Sequence, residues 1–323
     1  MYKDRNICVV MPAFNEEKLI GGVLDRIPDY VDTIVVVDDG STDETPHIAR
    51  AKDDLVVTHN INRGVGAAFQ TGVDKALELN ADIMVTIDAD GQFDPKDINQ
   101  LIDPISDGDA DFVTASRFKE KKLAPTMSRL KYWGNIGISR LISFLTGQKF
   151  YDVSCGFRAY SKEALLRLNL FGAFTYTQET IMDLAFKNIA IQEVPISIQG
   201  QRKYGQSKVT SNLFRYAYRT SKIIFRAFRD YKPLKFFGFI AGFTFCSGLL
   251  LEILLLWHYL KTGSFSPYKV LGFVGGFLLA VGLIIFVTGL LADMFYRIRV
   301  TQEEILYYKK KRLFTDKNRD KNT

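Results

Sequence analysis

Near the C-terminus lie two runs that leave the chain little choice. Phe236 to Tyr259 is nearly all apolar apart from Glu252, and Tyr268 to Leu291 carries a single charge, Lys269, at its border. Each is about as long as the ~20 residues that cross a ~30 Å hydrocarbon core. In hydrocarbon every backbone polar group must be satisfied internally, so such runs fold as helices. The link Lys261 to Pro267 is short and polar, so the two helices form a hairpin with both ends on one side. Lys232, Lys235, Arg297, Arg299 and Lys309-Lys310-Lys311-Arg312 flank those ends. The positive-inside rule then expects a multi-pass protein of the cell membrane or an endomembrane, with its large domain in the cytoplasm. Three placements fit Glu252: protonated in the span, buried against the other helix, or close to the far interface.

The net charge of +6 hides a division. Residues 1–200 hold 21 Lys+Arg against 29 Asp+Glu, and residues 201–323 hold 21 against 7. A basic back half suits nucleic acid or an anionic membrane surface; the adjacent spans favour the membrane, and no nucleic acid is expected. Cys8, Cys155 and Cys246 are far apart with no C-x-x-C spacing, which reads as reduced thiols facing a cytosol. Asp4 and Arg5 interrupt the start, so no signal peptide is expected there.

The front half alternates short apolar runs with helical patterns. Ile7 to Met11 reads as a strand that Pro12 ends, and Asn15-Glu16-Glu17 opens a helix to about Arg26. Thr33 to Val37, Leu55 to Thr58 and Asp82 to Ile87 read as further strands, with helices between them. This order predicts a mostly parallel sheet covered on both faces. The strands are followed by Pro12-Ala13-Phe14-Asn15-Glu16, by Asp38-Asp39-Gly40 and by Asp88-Ala89-Asp90-Gly91-Gln92. In an open α/β sheet those carboxyl ends share the rim where ligands bind. Two carboxylates two residues apart suit a hard divalent cation, and such a cation would also hold a diphosphate. Alone, the triplet is equally an acidic turn.

Further on the chain is basic and aromatic, with Arg117, Arg129 and Arg140 around Trp133. A later strand, Ile191 to Ile198, contains Glu193-Val194-Pro195, and Pro195 argues for an edge or a strand end. Arg215, Arg219, Lys222, Arg226 and Arg229 recur every three or four residues, opposite Leu213, Phe214, Ala217, Ile224, Phe225 and Phe228. A basic stripe beside an apolar face suits a helix lying in the membrane interface. The expected organisation is a catalytic domain over 1–210, a juxtamembrane helix over 211–235, two spans over 236–296 and a basic cytoplasmic tail over 297–323.

Four motifs occur in order: Val37 to Asp43, Asp88 to Gln92, Cys155-Gly156-Phe157-Arg158, and Arg202-Lys203-Tyr204-Gly205-Gln206-Ser207-Lys208. Over roughly residues 6–235 the chain resembles the inverting GT-A glycosyltransferases of family 2. Within them it resembles the dolichyl-phosphate mannose synthases and polyprenyl-phosphate hexosyltransferases. The resemblance implies a Rossmann-like GT-A domain that moves a hexose from a nucleotide sugar, GDP-mannose or a UDP-hexose, to polyprenyl or dolichyl phosphate at the bilayer. It implies that Pro12, Ala13, Asn15, Glu16 and Asp39 line the nucleoside pocket. Asp88, Ala89, Asp90 and Gln92 would hold the diphosphate with Mg²⁺ or Mn²⁺, the metal ligands being Asp88, Asp90 and Gln92. Arg117, Arg129 and Arg202 would grip phosphates, Lys208 would add a charge, and Arg158 would bind sugar or phosphate or anchor its loop. Glu179 would act as base or positioning group near the acceptor. A processive polysaccharide synthase would carry Q-x-x-R-W, which Gln201-Arg202-Lys203-Tyr204 does not match; another family 2 enzyme on a different acceptor, or a non-catalytic module for anionic lipid, are the remaining alternatives. A homo-oligomer is compatible with the sequence, which does not fix the oligomeric state.

Overall fold

The computed structural model describes residues 1–52, 54–123, 125, 127, 129–170, 176–198 and 213–319. Seven strands form one sheet: β1 (Ile7–Ala13), β2 (Thr33–Asp38), β3 (Leu55–Thr58), β4 (Ile83–Thr86), β5 (Phe112–Ser116), β6 (Arg158–Ser161) and β7 (Ile191–Pro195). Their order is β3-β2-β1-β4-β6-β5-β7. β1 runs parallel to β2 and β4, β2 to β3, and β5 to β7, while β6 is antiparallel to both its neighbours. β1, β4 and β5 are buried along almost their whole length, which is why they are nearly continuous apolar runs and not alternating ones. Helices α1 (Ile20–Leu24), α2 (Thr45–Arg50), α3 (Val65–Glu78), α4 (Ile98–Ser106), α5 (Arg129–Thr146), α6 (Lys162–Arg167) and α7 (Thr177–Phe186) complete this layer, and α8 (Leu213–Tyr231), α9 (Pro233–Thr262) and α10 (Lys269–Arg319) follow.

Register decides what meets at the rim. Ala13 of β1 pairs with Asp38 of β2, and Val10 pairs with Thr86 of β4. Because β6 is antiparallel, its first residue, Arg158, lies beside Thr86 of β4 and Thr114 of β5. The Cys155 to Arg158 motif is thereby brought to the same edge as the ends of the parallel strands. Pro195 closes β7, which is an edge strand.

The helix expected from Asn15 to Arg26 is shorter: α1 starts at Ile20. Asn15 has φ +52°. Its amide donates to Ser41 Oγ at 2.9 Å, the Glu16 amide to Thr45 Oγ1 at 2.8 Å and the Glu17 amide to Asp43 Oδ2 at 3.3 Å. These donors are satisfied by the loop after β2, so the segment needs no helix before Ile20.

The chain forms two compact units, one of Met1–Ile224 with Leu306–Thr323, the other of Phe225–Ile305. In the second, α9 and the apolar part of α10 are long and apolar enough to cross a membrane, with mean hydropathies of 2.1 and 2.8 over their most apolar windows. Only 17% and 11% of those windows are buried, too little for the core helices of a water-soluble domain. Glu252 of α9 lies against α10: a Cβ on Gly275 would sit 2.7 Å from its Oε1. Of the three placements, the carboxyl has the one against the other helix, where glycine leaves it room.

The first unit holds a feature outside the sequence reading. The segment that begins at Leu306, expected as part of a basic cytoplasmic tail, belongs with the sheet domain. Tyr307 is buried; its hydroxyl donates to Glu163 Oε2 at 2.9 Å, and the Arg167 guanidinium lies 4.4 Å from its ring centroid. Lys310, one turn on, donates to Leu168 O at 2.9 Å and Asn169 Oδ1 at 3.0 Å. Tyr307→Ala removes a buried aromatic ring and its hydrogen bond, and is expected to cost about 2–3 kcal/mol. A lower thermal midpoint in detergent checks this; an unchanged midpoint means the segment is not docked in solution.

Candidate active site at the strand ends

Pro12 is half-buried and Ala13 buried at the end of β1. Asn15 Oδ1 accepts from the Thr42 amide at 2.8 Å, and Asp38 Oδ1 from the Ser41 amide at 3.0 Å. Together with the Glu16 bond these contacts join the two loops into one wall. The second Asp38 oxygen is buried with no partner, although desolvating a carboxylate oxygen unpaired is costly. Asp39, expected to accept from the nucleoside, already accepts from the chain on both oxygens. Oδ1 takes the Arg63 amide at 2.9 Å and lies 2.8 Å from His59 Nδ1, and Oδ2 takes the Gly64 amide at 2.8 Å. His59 Nε2 is 2.9 Å from Thr71 Oγ1. Asp39 therefore fixes the loop ahead of α3, and His59 is a member of this wall that the sequence reading passed over.

At the end of β4, Asp88 is half-buried and Asp90 is 5% exposed. Asp90 Oδ1 accepts from the Gln92 amide at 3.0 Å, across a turn in which Gly91 has φ +69°. Ala89 belongs to the core. Asp88 lies over the backbone of Gly156, where a Cβ would come within 2.9 Å of its Oδ2. Tyr176, the residue before α7, places its hydroxyl 3.4 Å from Gly156 O. Burial first, then the Asp88 charge, raise the Tyr176 phenol well above its usual range, so it stays protonated. Among the described residues no three or more His, Cys, Asp or Glu gather to hold a metal. Asp88 and Asp90 offer hard oxygen donors only, a set that fits Mg²⁺ or Mn²⁺ when ligand oxygens complete it.

The expected arginines have different fates. Arg117, one residue past β5, forms a fork with Asp152: Nε to Oδ2 at 2.5 Å, Nη2 to Oδ1 at 2.9 Å, with its own amide on Oδ2 at 3.1 Å. Burial works to raise the fully buried Asp152 carboxyl, but the Arg117 charge and hydrogen bonds outweigh it and hold the group below the usual carboxylate range. Arg129 is exposed at the first turn of α5. Arg158 is withdrawn from the surface. It is fully buried, donating from Nη1 to Thr177 O at 2.8 Å and from Nη2 to Val153 O at 3.3 Å, between the rings of Phe112 and Tyr176. Of the two roles weighed for it, the geometry is that of the loop anchor. It ties the Val153 loop to the start of α7, where Gln178 Nε2 donates to Ser154 Oγ at 3.1 Å and Glu179 lies half-buried in the first turn. Arg202 and Lys208 lie outside the described residues.

Residues 8–168 match the family described as Glycosyl transferase family 2. The chain is 37% identical over 214 residues to the UDP-N-acetylglucosamine--dolichyl-phosphate N-acetylglucosaminyltransferase of Methanococcus voltae, covering 60% of this chain and 85% of that one. It is 35% identical to the dolichyl-phosphate hexose transferase of Haloferax volcanii, covering 64% of this chain and 88% of the relative. Among solved structures, glucosyl-3-phosphoglycerate synthase from Mycobacterium tuberculosis, in complex with Mn²⁺, UDP and glucosyl-3-phosphoglycerate, superimposes with a TM-score of 0.55 at 23% identity, over 69% of this chain and 80% of that one. That likeness gives the GT-A-like sheet.

Proposed function

This chain belongs to glycosyl transferase family 2, and on that premise we propose that it moves a hexose from a nucleotide sugar to the phosphate of polyprenyl or dolichyl phosphate. The carrying observation is the convergence at one rim of Asp88 and Asp90, the Gly156 loop and the Arg117–Asp152 pair. The two relatives, both named for transfer to dolichyl phosphate, support the acceptor class.

In this reading Pro12, Ala13, Asn15, Glu16 and Asp39 shape the nucleoside pocket. Asp88 and Asp90 hold Mg²⁺ or Mn²⁺ with the diphosphate, and Gln92 stands beside them. When bound, the metal neutralises charge on the departing nucleoside diphosphate. The Arg117 guanidinium, held by Asp152 through Nε and Nη2, supplies positive charge for phosphate together with Arg129 and Arg202. A phosphate oxygen of the acceptor attacks the anomeric carbon as the bond to the donor's diphosphate breaks, so configuration inverts. The acceptor is already anionic, so Glu179 has little proton to remove and acts mainly by placing the sugar or an arginine. Orientation and fixed positive charge do most of the work.

The test is a panel of radiolabelled UDP- and GDP-sugars with polyprenyl phosphate, read as label entering the lipid phase. Transfer from one donor is expected; label released only to water, for every donor, defeats the proposal. Charge flanking the spans supports a catalytic domain on the cytoplasmic side of the membrane. Protease added to sealed inside-out vesicles should digest residues 1–230 and spare the link Lys261 to Pro267, and the reverse pattern overturns that orientation.

A further inference from the structure

Glu193 of β7 has no part in the reaction described so far, yet it is among the most buried carboxylates of the sheet domain. Burial raises its carboxyl, two amide hydrogen bonds oppose that shift, and the nearby Asp152 charge adds to it. A packing role alone would be met better by an apolar side chain. What Glu193 does is hold the turn of backbone at Tyr151 and Asp152 through two successive amides. Its Oε1 accepts from the amides of Asp152 at 2.8 Å and Tyr151 at 3.1 Å, and its Oε2 accepts from Tyr151 at 2.9 Å.

That turn carries Asp152. Both Asp152 oxygens receive the Arg117 guanidinium, and Oδ1 also takes the Ser154 amide at 3.1 Å. The relay begins and ends on paired strands. Glu193 stands opposite Thr114 in the β5–β7 ladder, and Ser116, opposite Pro195, directly precedes Arg117. Lys119 closes the path by donating from Nζ to Glu193 O at 2.6 Å. A fork bound along two nitrogens has its plane fixed by the carboxylate that binds it. The direction of that carboxylate is fixed in turn by the two amides on Glu193.

We propose that Glu193 is a positioning residue that acts through Asp152 to aim the Arg117 guanidinium at the acceptor phosphate. The proposal rests on the reading that Arg117 holds phosphate, and narrows that phosphate to the acceptor's. Glu193 touches no substrate. Its contribution is to keep the Arg117 fork from relaxing toward another geometry when the anion arrives, and so to favour acceptor binding over donor binding.

The test is a double-mutant cycle in the full-length, membrane-bound enzyme. Glu193→Gln keeps the shape and one acceptor oxygen while it removes the charge and the second strong acceptor. It should raise the KM for polyprenyl phosphate about tenfold, leaving the KM for the nucleotide sugar within about twofold. In an Arg117→Ala background the same substitution should change nothing further, because the group it aims is gone. Glu193→Asp, which keeps the charge on a shorter stem, should recover part of the loss. A Glu193→Gln effect that adds in full to Arg117→Ala overturns the proposal, as do equal losses for donor and acceptor, no effect, or loss of cooperative unfolding. If Arg117→Ala itself leaves the acceptor KM unchanged, the phosphate role of Arg117 fails as well; if it raises that KM strongly and the cycle is still additive, only the relay fails.

Discussion

Asp90→Asn leaves the protein folded and removes most of its turnover. The side chain is buried and its Oδ1 accepts from the Gln92 amide; an asparagine oxygen can take the same hydrogen bond, so the turn at Gly91 survives. What is lost is one anionic ligand of two. With Asp88 alone, charge on the departing diphosphate is balanced less well, and kcat is expected to fall by about 10² to 10³-fold. The thermal midpoint should move by only a degree or two. EDTA should do to the parent enzyme what the substitution does, and should do little more to the variant. Full turnover of the variant, or of the parent in EDTA, would reduce Asp88-Ala89-Asp90 to the acidic turn that the triplet alone equally allows.

Much of the fold around this site is legible in the sequence. β1 to β4 lie close to their expected runs because buried parallel strands are continuous apolar segments, and the polar ends of those runs share a rim because the pairing is parallel. β6 was read only as a motif, since four residues including Arg158 and Tyr160 carry too short a period to mark a strand. Its antiparallel placement is what carries Gly156 to Asp88. Arg158 shows what residue type leaves open: an arginine in a motif can bind a ligand or anchor its loop, and this one donates to two backbone carbonyls beside two rings. Asp152 and Glu193 escaped notice for a related reason. Their partners are 35 and 41 residues away in sequence, beyond any local pattern. The docking of Tyr307, 144 residues from Glu163, escaped in the same way. The basic run at 309–312 reads as part of a cytoplasmic tail because charge is visible in sequence and a distant buried aromatic contact is not.

Gly156→Ala tests that geometry from the opposite side. The position faces Asp88, and an added Cβ would stand 2.9 Å from Oδ2 and 3.2 Å from Oδ1, closer than carbon and carboxylate oxygen tolerate. The backbone has little room to retreat, because Gly156 O accepts from Thr86 Oγ1 at 2.8 Å and Thr86 itself is in β4. The side chain that must give way is therefore Asp88, and it must rotate away from Gly156. Turnover should drop about 10 to 100-fold at limiting metal, with a small change in thermal midpoint, since one methyl group displaces a half-buried carboxylate and opens no cavity. The difference from Asp90→Asn lies in the metal titration. A displaced ligand still exists, so raising Mn²⁺ should restore much of the activity of Gly156→Ala, whereas a deleted anionic ligand leaves Asp90→Asn low at every concentration. Recovery of both variants, or of neither, would separate Gly156 from the metal-binding carboxylates and return it to a purely structural place in the loop before β6.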